Sequence, residues 1–137
     1  MKEEKIKHLE FIQNIILRMN TNSFNIKGIT ITIVSALLAI SFSEKNNQLL
    51  IITLFPIIVF WFLDSYYLSI ERKFIGLYND IVKDKKDNIE LFKMDISIYK
   101  NGRFRFINVL FSKTILGFYF LSIIIVSSIY IFNKCQF

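Results

Sequence analysis

The chain holds one cysteine, one proline, one histidine and one tryptophan among 137 residues. A lone cysteine, Cys135, cannot build an intramolecular disulfide framework, and no Cys/His spacing offers a metal site. His8 has no partner pattern and is expected at the surface, not in catalysis. The four glycines form no phosphate-binding loop, and no serine nucleophile motif is present. No enzyme, metal or cofactor is therefore expected. Acids are also scarce, 11 against 17 lysines and arginines, leaving a formal net charge of +6.

What the chain has in excess is apolar surface. Hydrophobic residues make up 53% of it, too many for an ordinary soluble domain of this length. Three runs are long enough to cross a bilayer as helices: 24–42, 49–70 and 109–132. The second passes through an aromatic belt, Phe60 to Tyr67, into Glu71 and Arg72, as a membrane helix does at an interface. Pro56 inside it predicts a kink near residues 52 to 56. Beyond it, Phe74, Ile75, Tyr78, Ile81 and Val82 recur at helical spacing, so a helical extension is expected over 71–86. Residues 3–20 read as an amphipathic helix with a Leu9, Ile12, Ile16, Met19 stripe. Thr21-Asn22-Ser23 should break or cap it, because their side chains compete for backbone hydrogen bonds.

The connector 87–108 follows a charged turn at Asp84 to Asn88. Ile96 and Ile98 alternate with Phe104 and Phe106 about Asn101-Gly102, which reads either as a short hairpin around 96–106 or as an amphipathic helix from Phe104 to Phe111. The expected architecture is an all-α membrane protein of three transmembrane helices, with an N-terminal amphipathic helix and a helical cytoplasmic extension of the second span. Fifteen of the 17 basic residues lie in the N-terminal region or in 70–113. By the positive-inside rule this places the N-terminus inside the cytoplasmic membrane and the C-terminus outside. The small-x-small end at Ser41-Phe42-Ser43 resembles a signal-peptide cleavage site, but the acidic region before it favours a retained anchor.

Asp64 is the sharpest single residue. A carboxylate at membrane depth needs a partner, water or protonation, so it either lines a pore, gates or carries a proton, or else makes a structural ion pair. Arg18 and Lys27 are its candidate partners, with Glu71 and Arg72 about two turns away. Gln13, Asn14, Arg18, Asn22 and Asn25 form a polar stripe that lines a hydrated vestibule in an oligomer or faces solvent. Lys83, Lys85, Lys86, Arg103 and Arg105 suit anionic lipid or a nucleotide signal. Six acids interleaved in 70–113 argue against nucleic acid.

Four pieces together carry a resemblance: Phe11-Ile12-Gln13 with Arg18-Met19, Asn22-Ser23-Phe24 and Lys27-Gly28; Phe60-Trp61 to Leu63-Asp64 with Tyr66-Tyr67-Leu68 and Glu71-Arg72; Met94-Asp95; and Leu110 to Thr114. They resemble a large group of small bacterial multi-pass membrane proteins, although Ile98 stands where that pattern has proline. In type, the chain is similar to the short membrane effectors of anti-phage defence systems. That likeness implies a homo-oligomer that permeabilises the inner membrane when a cytosolic protein or nucleotide signals. The competing expectation is an adaptor that recruits a cytosolic enzyme through the N-terminal arm and residues 70–113.

Overall fold

A computed structural model describes residues 3–83 and 92–136. In chain order these form α1 (Glu3–Glu44), α2 (Asn47–Val82), a single 3-10 turn (Gly102–Phe104), α3 (Phe106–Leu110) and α4 (Lys113–Gln136), with no strand among the described residues. Three of the helices, α1, α2 and α4, are long and apolar enough to cross a membrane.

The first two helices are a hairpin, joined where Lys45 takes a positive φ of 49° and Asn46 accepts a hydrogen bond from the Gln48 amide to cap α2. At one end, Ile57, Ile115, Tyr119 and Val126 form a buried core with Val34, Leu38 and Trp61 packed against it. Apolar burial is weakly favourable inside lipid, so close packing and hydrogen bonds must hold these helices together there. At the other end, Leu9 and Ile12 of α1 pack with Phe74, Leu77 and Ile81 of α2 and with Tyr99, forming a cap. Gly76 makes the cap possible, since a Cβ there would come within 2.9 Å of the Tyr99 ring and 3.0 Å of Phe104.

Several expectations change. The break at Thr21-Asn22-Ser23 does not occur, and residues 3–20 and 24–42 belong to one 42-residue helix. Ser23 turns its hydroxyl to Asp64 on α2 and so leaves its own backbone in the helical ladder. The helical extension of 49–70 is present as expected: α2 runs unbroken through Pro56 to Val82, with Lys83 as C-cap, and Asp84 to Lys86 lie outside the described residues. Of the two readings of the connector, the hairpin around 96–106 gives way to turns, and the helix from Phe104 to Phe111 is present in part as α3. Gly102 supplies a φ of +63° to a 3-10 turn, Ile98 is exposed, and Tyr99 and Phe104 pack edge-to-face at 5.2 Å over Gly76. The third apolar helix starts at Lys113, not at 109, because Phe111 caps α3 and Ser112 follows it. His8 is fully buried, not at the surface, beside Leu9 and tilted against the Phe92 ring at 5.7 Å.

Candidate functional site

Where cap and apolar bundle meet, α1 and α2 bring their polar residues together. The 3.6-residue turn places Ser23, Lys27 and Thr30 one above another on the face of α1 that meets α2, which presents Asp64 in return. Asp64 is fully buried. Its Oδ2 lies 2.6 Å from Lys27 Nζ, and its Oδ1 accepts a hydrogen bond from the Ser23 hydroxyl. Lys27 Nζ also donates to Ser23 Oγ at 2.9 Å, which closes a three-membered cluster. The Lys27 side chain keeps 22% exposure, so its ammonium is partly wet while the carboxylate is dry.

Around this cluster the hydroxyls turn inward to their own helices. Thr30 donates to Ile26 O at 2.7 Å and Ser65 to Trp61 O at 2.7 Å. From α4, the buried Tyr119 places its hydroxyl near Thr30 and Asp64 without a hydrogen bond to either. In the sequence its hydroxyl separates Tyr119 from Phe118 and Phe120 and suggests an interfacial anchor, but the packing buries it beside this cluster instead. Glu71 is also buried, with Asn20, Arg72 and Lys27 near it. Such a cluster can lock two helices and hold a proton between acid and base. No group of three His, Cys, Asp or Glu that could hold a metal occurs among the described residues.

Of the two cations expected beside Asp64, Lys27 makes the ion pair, while Arg18 lies exposed. Arg72 donates to Arg103 O at 3.4 Å. Lys83, Arg103 and Arg105 are exposed, whereas Lys85 and Lys86 lie outside the described residues.

The stripe on α1 goes further than its sequence suggested. Gln13, Asn14, Arg18 and Asn25 are exposed and Asn22 is half-buried, with Gln13 donating to the Tyr78 hydroxyl at 3.3 Å. Because the helix does not break, the same line continues at steps of three or four residues through Thr21, Gly28, Thr32, Ser35, Ala39 and Ser43, every one exposed. This line lies opposite the face that packs on α2. Exposed Leu17, Phe24 and Ile31 run along one edge of it, and Phe11, Ile29 and Ile40 along the other. The exposed positions of α2 are of the opposite kind, with Ile51, Ile52, Phe55, Ile58, Val59 and Phe62 all large and apolar.

No known protein family, curated protein or solved structure matches this chain.

Proposed function

We propose that the chain is the protomer of a homo-oligomeric pore in the cytoplasmic membrane, with α1 facing the conduit and acting as a defence or stress effector. One observation carries the reading: between its exposed apolar edges α1 carries one line of small and polar residues along its whole length, and the exposed face of α2 at the same level is large and apolar. In lipid, an outward face of Gly28, Thr32, Ser35 and Ala39 calls for water or another helix to cover it, although Thr32 already donates to Gly28 O of its own helix at 3.0 Å. Water meets that demand in a ring of protomers, with the apolar edges of α1 sealed between neighbours and α2 and α4 turned to lipid. A chain of this size encloses no pore alone, which is why the reading requires assembly. The buried Asp64–Lys27 pair then holds α1 to its own protomer and does not line the conduit.

The orientation that fits is N-terminus inside and C-terminus outside, with the cap in the cytoplasm, where a protein or nucleotide signal would reach it. Induced expression with a membrane-potential dye tests the function, and flux from liposomes holding the full chain tests the lining. Depolarisation on induction supports the reading. Thr32→Leu and Ser35→Leu should abolish flux while Phe120→Leu does not. Unchanged polarisation together with tight liposomes would refute it. The adaptor reading rests on the exposed pair Phe11 and Phe92 on the cap, 6.1 Å apart. A stoichiometric cytosolic partner in co-purification would favour it.

A further inference from the structure

The segment between the 3-10 turn and α4 is an elbow with two unlike sides. Its inner side is fixed to α2: Val109 is fully buried, and the Trp61 indole donates to Leu110 O at 3.0 Å. Trp61 also meets Phe111 edge-on at 6.1 Å, and Phe62 stacks on Phe106 at 6.4 Å. The outer side carries Ile107 at 52% exposure and Phe111 at 58%. Beside them Arg103, Arg105 and Lys113 are exposed, and no acid occurs anywhere from residue 96 to residue 113. Among the described residues none of these three cations forms an ion pair, although Arg103 rests over the Phe104 ring at 4.9 Å.

Two large apolar side chains that are left in the open, flanked by unneutralised cations at the foot of a helix able to cross a membrane, suit one kind of surface. We infer that the elbow is an interfacial anchor for anionic phospholipid: Ile107 and Phe111 enter the acyl boundary, and Arg103, Arg105 and Lys113 pair with headgroup phosphates. The charge is complementary to that surface, and the elbow is continuous with α4, which enters the same leaflet. Trp61, pinned to Leu110, sets the depth, as an indole at a membrane interface does. Each cation near an anionic leaflet is worth roughly fivefold in affinity, so three give a selection far above that of a neutral lipid. This anchor requires neither a pore nor an oligomer.

Trp61 is the only tryptophan, so its fluorescence reports on the elbow alone. The full chain is reconstituted in bilayers that mix phosphatidylcholine and phosphatidylglycerol, with bromine on the acyl chains of one lipid or the other. Quenching by the brominated phosphatidylglycerol should exceed that by brominated phosphatidylcholine, corresponding to a preference on the order of a hundredfold at the elbow. Arg105→Gln should lower the preference several-fold, and Arg103→Gln/Arg105→Gln/Lys113→Gln should bring it to parity. Lys134→Gln, at the far end of α4, should leave it intact. Should the triple variant lose its helical circular dichroism, Arg105→Gln decides alone, since that side chain is exposed and caps nothing. Equal quenching by both lipids in the unmodified chain would overturn the assignment. So would a preference left undiminished by Arg105→Gln, or one that appears only when an acidic cytosolic protein is added.

Discussion

Asp64 is fully buried, and a carboxylate is tolerable in such a place only because Lys27 and Ser23 replace its hydration. Removing one partner strands the other. Asp64→Asn and Lys27→Met should each lower the stability of the full chain in detergent by about 3 kcal/mol, less to the extent that Lys27 finds water. The double variant should cost clearly less than the two added together, as measured by thermal unfolding, and strict additivity would mean that the pair is not coupled. Arg18→Gln should change stability little, because Arg18 is exposed and does not share this carboxylate. Tyr99, in the cap, gives a different signature. Its hydroxyl donates to Asp80 Oδ2 at 2.7 Å, and burial first, then Asp80, pushes its pKa above the ordinary tyrosine value. A raised pKa means that the fold favours the protonated phenol. Its contribution is complete below about pH 10 and is lost as pH rises above it. Near-UV circular dichroism should therefore show the cap loosening in alkali in the unmodified chain, and Tyr99→Phe should remove this part of the alkaline loss while costing about 1 kcal/mol at neutral pH.

At the scale of elements, Gly76 decides how α2 and the connector fit. Gly76→Ala gains about 1 kcal/mol of helix propensity, but its methyl must displace a Tyr99 ring held by Asp80 at one end and Phe104 at its face. The clash should win, with a net loss of about 1 to 2 kcal/mol in unfolding of the full chain, whereas Gly117→Ala, with nothing near it, should be neutral or stabilising. The same two contacts explain what could be read from the sequence. Apolar length is a property of a single run, so three helices able to span were visible without any tertiary information. Whether Thr21-Asn22-Ser23 breaks a helix depends on an acid 41 positions away, which supplies Ser23 with a better partner than its own backbone. Asn101-Gly102 is compatible with a hairpin or a 3-10 turn, and the notch at Gly76 on another element chooses between them. The pairing of Asp64 with Lys27 was half visible, since both lie at one boundary, but Arg18 could be set aside only once the unbroken helix turned it outward.

For the whole molecule, an odd number of crossings puts the two ends of the chain on opposite sides of a membrane, if all three helices cross it. Cys135 is exposed and is the only thiol, so an impermeant maleimide should label it on intact spheroplasts without permeabilisation. Labelling that requires permeabilisation would reverse the orientation proposed above. The unbroken α1 has a mechanical consequence as well. At 1.5 Å per residue it is about 63 Å long, roughly twice the thickness of a bilayer core. Its charged attachment at Lys27 divides it into arms of roughly 36 Å and 26 Å. Both arms are held against α2, the longer by Leu9 and Ile12 in the cap and the shorter by Ser41, whose hydroxyl donates to Asn46 O at the turn, so the helix is a strut that ties the cap to the far turn of the hairpin.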